Sequence, residues 1–154
     1  MNVQPIVKAM QAGALLSTGV VYGTDAFFSI VGAKALAQTS AAGLSEVMGR
    51  LHEVADRRMP VVGAAGLVLS LSCALGSGTT RGRVFGAAAA AMTVAYIVLY
   101  TRYSKPINDQ LTAAAQSGTV VGDAHALQGR WDGIVYVRYA LMSVAMLCLV
   151  LVTE

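Results

Sequence analysis

Charged side chains are scarce in this sequence. They make up 12% of the 154 residues, whereas hydrophobic residues make up 56%. A soluble domain carries roughly a quarter charged residues. The formal net charge of +3 is small and is spread along the chain, so it does not form the concentrated basic surface that nucleic-acid binding needs. The composition therefore predicts a lipid bilayer, and no nucleic acid, as the partner of this chain.

Cysteine is almost absent. The two cysteines, Cys73 and Cys148, both lie in apolar stretches, and the sequence contains neither a CxxC pair nor a Cys/His cluster. These absences exclude a metal finger and a disulfide framework. We expect two buried free thiols, with a disulfide between them as the minor alternative, and we predict no metal site.

Long apolar runs dominate the sequence. A helix needs about 20 residues to cross about 30 Å of hydrocarbon. The runs predict a single membrane domain over residues 1–154, with helix 1 at about 8–36, helix 2 at about 45–77, helix 3 at about 83–104 and helix 4 at about 128–153. The first run contains no A-x-A-like cleavage site, which favours a retained helix over a signal peptide. Short connections predict an all-α, up-down-up-down four-helix bundle.

Two amphipathic stretches extend these helices. The first precedes helix 2 and has apolar residues at helical spacing from Leu44 to Ala55, so helix 2 is expected to run through Pro60 with a kink. The second, "INDQLTAAAQSG", lies between helices 3 and 4, after Pro106 ends or bends helix 3. Lys and Arg occur in the connections at both ends of the bundle, so the positive-inside rule does not decide which end faces the cytoplasm. We expect an integral protein of a bacterial inner membrane.

Helical spacing places polar or small side chains on one face of every helix. In lipid, helices associate through small residues and hydrogen bonds, so such faces turn inward. Ordinary helix packing explains these faces as well as a binding site does. The faces are Thr18, Tyr22, Asp25 and Ser29 on helix 1; His52, Asp56, Met59, Gly63, Gly66, Ser70, Cys73 and Ser77 on helix 2; Thr93, Tyr96, Tyr100 and Tyr103 on helix 3; and Asp132, Tyr136, Tyr139 and Ser143 on helix 4.

Ionisable residues on these faces are the first candidates for function. Asp25 interrupts the apolar run of helix 1, and a carboxylate within hydrocarbon is costly unless it is paired or protonated. It marks either a functional site or a hydrogen bond that holds the bundle together. His52 and Asp56 stand four residues apart, so the carboxylate could orient the imidazole as part of an acid/base pair. A solvated helix entrance produces the same spacing.

Trp131 and Arg138 are seven residues apart on helix 4 and share a face. An interfacial Trp and a snorkelling Arg explain each of them separately. Alternatively, Arg138 pairs with Asp25, with Asp56 or with a bound anionic oxygen, which a guanidinium holds bidentately. The other histidine, His125, lies in a polar connection and is expected at the surface. A haem ligated by the two histidines stays open as an alternative, although no CxxCH motif supports it.

Four segments resemble a known pattern: "VYGTDAFFSIVGAKAL", "LHEVADRRMPVVG", "SKPINDQL" and "WDGIVYVR". Together they resemble the anthrone-oxygenase-like family of small four-helix membrane proteins, a domain family largely of unknown function. The resemblance singles out His52, Asn108, Trp131 and Arg138. Asp109 beside Asn108, and the polar Asp132 and Tyr136 on helix 4, depart from the common pattern.

The resemblance implies a cofactor-independent oxygenase that converts an anthrone to an anthraquinone. In that chemistry a base removes an activated C–H proton and polar donors stabilise the enolate. The predicted catalytic residues are His52 as the base, Asp56 orienting it, and Arg138 at the oxyanion. The residues predicted to contact a small, largely apolar aromatic substrate are Asp25, Tyr22, Tyr100, Asn108, Trp131, Asp132 and Tyr136.

Two other functions fit the same sequence. One is a non-enzymatic subunit of a membrane complex, or a homo-oligomer, that packs through the Gly19/Gly23 pair and the "GAAAAAM" segment at residues 86–92. The other is a haem- or quinone-binding redox protein. The oxygenase reading predicts no cofactor, so an absorption spectrum separates it from the haem alternative.

Overall fold

The computed structural model describes residues 4–152. Within these residues the chain is helical apart from short connections, and no strand is present. Four long helices follow one another along the chain: α1 (Gln4–Ala37), α2 (Ala41–Gly76), α3 (Thr80–Ser117) and α4 (Ala124–Val150). The predicted all-α class is confirmed.

All four helices are long and apolar enough to cross a membrane. Large apolar side chains are left exposed along them: Leu16 is 75% exposed, Val61 71% and Leu75 85%. In water such surfaces would cause the protein to associate, whereas in a bilayer they contact the lipid chains favourably. The chain is an integral membrane protein, as predicted.

Helix α3 extends past the expected end at residue 104 and runs through Pro106 to Ser117. Residues Tyr100–Ser104 form a π-helical turn, and Lys105 donates its backbone N–H to the carbonyl of Tyr100, five residues earlier. Pro106 then lies in the first turn of the following α-helical segment, where a missing N–H costs little. The change of hydrogen-bond register lets the helix continue where a proline was expected to end or bend it.

A second π-helical turn, Phe28–Gly32, interrupts α1 three residues after Asp25. The backbone N–H of Ala33 closes it on the carbonyl of Phe28. Such turns add one residue to a helical turn, and so rotate the side chains on either side relative to one another. Hydropathy and spacing contain no signal for either turn.

Side chains and a glycine define the helix boundaries. Ser40 Oγ accepts the N–H of Gly43 at 3.1 Å before α2, and Thr79 Oγ1 accepts the N–H of Gly82 at 3.0 Å before α3. Both satisfy an N–H group that has no partner inside the helix. Gly118, with φ 66°, ends α3 in the left-handed conformation that favours glycine.

The chain divides into two compact units. The first contains the described residues up to Gly23, Pro60–Ile97 and the residues from Ala140 onward. Small residues allow close packing within it, since a Cβ on Gly66 would meet Thr18 and one on Gly86 would meet the backbone of Ala74. Both cysteines lie in this unit as free thiols.

The second unit contains Thr24–Met59 and Val98–Tyr139. Its apolar core joins residues from α2, α3 and α4, with Phe28 and Leu36 of α1 packed against it. The buried members are Leu44, Met48, Ile107, Leu111, Ala124, Leu127, Trp131 and Val135. Nearly all of the predicted site residues fall within this unit, so its packing decides their geometry.

Gly49 is a point of close approach between α2 and α3 in the second unit. A Cβ at this position would collide with the backbone carbonyl of Leu111 and with the Cβ of Ala115. We expect Gly49→Ala to destabilise the protein by about 1–3 kcal/mol, because the obstructing backbone must move. The midpoint of unfolding in an SDS titration measures this.

Gly63→Ala is the matched control, because Gly63 lies on the same helix and a Cβ there would meet nothing within 4 Å. Alanine is the better helix former, so this variant should be neutral or slightly more stable. Equal midpoints for the two variants would contradict the close approach at Gly49.

Candidate functional site

A buried ion pair lies within the second unit. Arg138 on α4 binds the carboxylate of Asp25 on α1 through two contacts, Nη2 to Oδ1 at 2.6 Å and Nε to Oδ2 at 3.2 Å. Asp25 is 0% exposed and Arg138 5%. Three partners were considered for Arg138, and the structure shows Asp25 as the one that pairs with it. The pairing is bidentate, which is the geometry that a guanidinium favours.

The remaining contacts of Arg138 hold it among polar and aromatic neighbours. Its Nη1 donates to the Oγ of the buried Ser104 at 2.7 Å. Its Cζ lies 5.8 Å from the ring centre of Tyr100 and 5.7 Å from that of Trp131, within range of a cation–π interaction. Three nitrogens of Arg138 are therefore engaged by protein groups, which suits a role in positioning the aromatic rings.

A chain of hydrogen bonds connects α4, α3 and α2. The indole Nε1 of Trp131 donates to Asn108 Oδ1 at 2.9 Å, and Asn108 Nδ2 donates to Asp56 Oδ1 at 2.9 Å. The hydroxyl of Tyr100 donates to the same Asp56 oxygen at 2.8 Å. Lys105 Nζ lies 4.0 Å from Asp56 Oδ2. Asp56 thus orients Asn108 and, through it, the indole.

His52 lies against Trp131, with ring centres 5.3 Å apart, and is 5% exposed. Its Nε2 is buried and has no hydrogen-bond partner among residues 4–152. Asp56 was expected to orient this imidazole, but its Oδ1 accepts hydrogen bonds from Tyr100 and Asn108 instead. A buried nitrogen without a partner is unusual and requires an explanation.

The aromatic wall of the site comes from α1 and α4. Phe28 packs edge-on against Trp131, with ring centres 5.0 Å apart and planes at 81°. Phe27 packs in the same manner on Phe28, at 5.5 Å. The indole of Trp131 therefore has Phe28 and His52 as ring neighbours, and it is 4% exposed.

The three remaining predicted contact residues are Asp132, Tyr136 and Tyr22. Asp132 is half-buried and accepts a hydrogen bond from Gln128 Nε2 at 2.8 Å. Tyr136 is 52% exposed and donates to the backbone carbonyl of Ser29 at 3.3 Å. Tyr22 belongs to the first unit. Asp132 and Tyr136 therefore bond to Gln128 and to Ser29, outside the hydrogen-bond chain of Trp131, Asn108 and Asp56.

The other histidine is separate from this hydrogen-bond chain. His125 is exposed, and its Nε2 lies 2.9 Å from the backbone carbonyl of Thr39. Within the described residues no group of three or more His, Cys, Asp or Glu side chains could hold a metal ion.

The cluster around Trp131 is formed by His52, Asp56, Tyr100, Asn108 and Arg138. Sequence reasoning did not predict some of the residues beside it. Ser104 stands midway between Tyr100 and Asn108 at four-residue spacing, a signal that was available in the sequence. Gln128 stands one turn before Trp131 on the same face of α4. Phe28 is part of a π-helical turn, which rotates it by an amount that spacing does not predict. Both π-helical turns contribute side chains to the cluster or to the residues beside it, and such turns are frequent at functional sites.

A model of the family described as anthrone oxygenase matches residues 48–148. The chain belongs to the anthrone oxygenase family. The resemblance noted in the sequence is thereby confirmed. Searches of curated proteins and of solved structures each returned no match.

The anthrone oxygenase match contains every member of the hydrogen-bond chain, together with His52 and Arg138. Asp25 and Phe28 lie outside the matched residues. The anchor of Arg138 and one face of the indole therefore come from a helix that the match does not cover. The geometry of the candidate site thus depends on α1 as well as on the matched helices.

Proposed function

We propose that this chain is a cofactor-independent oxygenase that oxidises an anthrone-type aromatic substrate to the quinone. The unpartnered Nε2 of the buried His52, next to Trp131, carries the proposal. A neutral imidazole with its proton on Nδ1 presents a lone pair at Nε2. In a site that excludes water, that lone pair is available to a substrate proton.

The reaction uses only the substrate, molecular oxygen and this base. Nε2 of His52 takes one proton from the methylene carbon opposite the ring carbonyl, and the electron pair delocalises onto the carbonyl oxygen as an enolate. The enolate transfers an electron to oxygen, and the two radicals combine at the same carbon to give a peroxide. His52 returns its proton to the peroxide, and loss of the second C–H proton to the base with cleavage of the O–O bond then leaves the new carbonyl and expels hydroxide, which takes that proton and departs as water.

Each neighbouring group has a role in this scheme. The rings of Trp131 and Phe28 offer faces and edges to a flat substrate. The guanidinium of Arg138, 5.7 Å from the indole centre, adds a positive charge that favours the developing enolate. Because Asp25 partly neutralises this charge, we assign Arg138 mainly to positioning Tyr100 and Trp131. The Asp56–Asn108 hydrogen bond holds the amide to which the indole N–H of Trp131 donates, and so fixes the orientation of the indole ring.

A membrane location suits both reactants. Molecular oxygen and a polycyclic aromatic partition from water into hydrocarbon, which raises their concentration around the four spans. The proposal places the protein in a bacterial inner membrane, and requires neither a haem nor a metal ion.

Turnover by the purified protein in lipid nanodiscs tests the proposal, with anthrone as the probe. We expect quinone to form faster than in empty nanodiscs, with one molecule of oxygen consumed per molecule of quinone formed. The spectrum of the same preparation should lack the Soret band of a haem. Folded protein that adds nothing to the background rate would contradict the proposed reaction, and a Soret band would favour the redox alternative.

A further inference from the structure

Four buried polar side-chain atoms have no hydrogen-bond partner within the described residues, and three of them lie in the second unit. These three are Ser29 Oγ, His52 Nε2 and Gln128 Oε1. Native proteins leave few such atoms, because an unpaired buried polar group costs free energy. The proposed reaction uses His52 and leaves Gln128 unexplained.

Gln128 is 3% exposed, and its two amide atoms have different surroundings. Nε2 donates to Asp132 Oδ1 at 2.8 Å, whereas Oε1 is the atom without a partner. The orientation of the amide follows from chemistry, because the opposite one would set a carbonyl oxygen against a carboxylate. The atom that lacks a partner is therefore the carbonyl oxygen Oε1, and only a hydrogen-bond donor can pair with it.

The position of Gln128 relates this acceptor to the aromatic cluster. Gln128 and Trp131 are three residues apart on the buried face of α4, a rise of about 4.5 Å along the helix. Trp131 in turn contacts His52. A fused-ring ligand that stacks on Trp131 and extends one helical turn toward Gln128 would meet both the base and the amide carbonyl.

We propose that Gln128 determines specificity by accepting a hydrogen bond from a free phenolic hydroxyl of the substrate. This inference rests on the proposed function, since it takes the ligand of the site to be a fused-ring aromatic. It narrows the substrate class to phenols whose hydroxyl is not already bonded to the ring carbonyl. A site built around an unpaired acceptor discriminates against an analogue that lacks the donor.

Binding of anthraquinones tests the inference without requiring turnover. Trp131 is the only tryptophan of the chain, so quenching of its fluorescence reports on this site directly. The ligands are 2-hydroxyanthraquinone, its methyl ether, and 1-hydroxyanthraquinone, whose hydroxyl is bonded internally to the ring carbonyl. With the protein in lipid vesicles, which add no tryptophan, and at a pH that keeps the hydroxyls protonated, we expect the 2-hydroxy compound to bind about tenfold more tightly than either other ligand.

Gln128→Met should abolish that preference while changing the affinity for the methyl ether little, because methionine keeps the length of the side chain and lacks the acceptor. Gln110→Met is the matched control, since Gln110 is exposed and its side chain bonds only to the Pro106 carbonyl. This control should keep the preference of the unmodified protein.

Three outcomes would overturn the inference. They are equal binding of the hydroxyl compound and its methyl ether to the unmodified protein, a preference that survives in Gln128→Met, and the absence of quenching by all three ligands. The ligand comparison on the unmodified protein remains decisive even where the variant fails to fold. A confirmed preference without oxidation of anthrone would contradict the proposed reaction and leave the role of Gln128 intact, so the two failures are distinguishable.

Discussion

His52→Gln is expected to lower kcat/KM for anthrone by about 10²–10⁴-fold, the contribution typical of a positioned general base. Glutamine keeps a polar side chain of similar size but has no nitrogen lone pair that accepts a proton. The loss corresponds to about 3–5 kcal/mol of transition-state stabilisation. Oxygen consumption and quinone absorbance measure it in nanodiscs, after subtraction of the rate in empty nanodiscs.

The other histidine provides the matched control. His125→Gln changes an exposed side chain that bonds to the Thr39 carbonyl, and turnover should stay within about twofold of the unmodified protein. In His52→Ala, added imidazole should restore part of the rate, because it supplies the missing base to the space left behind. A structural residue is not rescued in this manner. Folded His52→Gln protein with unchanged turnover would contradict the assignment of the base.

Arg138→Met is expected to destabilise the protein by about 3–5 kcal/mol, because it leaves the carboxylate of Asp25 buried and unpaired. The double variant Asp25→Leu/Arg138→Met removes both charges and should recover most of that loss. A buried ion pair replaced by apolar groups of similar volume is often neutral in stability. Unfolding in an SDS titration gives the free energies for the four members of this double-mutant cycle.

An exposed arginine serves as the comparison for the pair. Arg57 has a 74% exposed side chain and contacts Glu53 at 3.3 Å, so Arg57→Met should leave the unfolding midpoint almost unchanged. Similar midpoints for Arg138→Met and Arg57→Met would contradict the buried pair. The double variant has a second use: if it is stable, its loss of turnover measures what the guanidinium contributes beside the indole.

Periodicity predicted the correct face for the main residues of the site, but it was wrong for Tyr103 and Tyr136, which were assigned to inward faces and are 51% and 52% exposed. The spacing of His52 and Asp56, and that of Trp131 and Arg138, placed each pair on one side of a helix, and the structure turns these sides into the second unit. This succeeds because 3.6 residues per turn is a local property of the backbone. The departures in helix boundaries and register lie where the local geometry changes, at the two π-helical turns and at Pro106.

Partners across helices were harder to infer. The sequence left three partners open for Arg138, and it suggested an Asp56–His52 contact in place of the Asp56–Asn108 bond. A hydrogen bond tolerates a donor–acceptor distance of about 2.7–3.2 Å, whereas shifting one helix by a single residue moves its side chains by about 1.5 Å along the axis and rotates them as well. Spacing within one helix contains no information about this shift.

The sequence by itself determined that the chain is an all-helical membrane protein with four spans, because hydropathy and length are properties of each segment alone. It also identified the family through short motifs. Only the tertiary structure decided that Asp25 pairs with Arg138, that Asp56 orients Asn108, and that His52 and Gln128 each keep one buried atom without a partner. These features depend on how side chains from different helices meet, which is set by packing across the whole second unit.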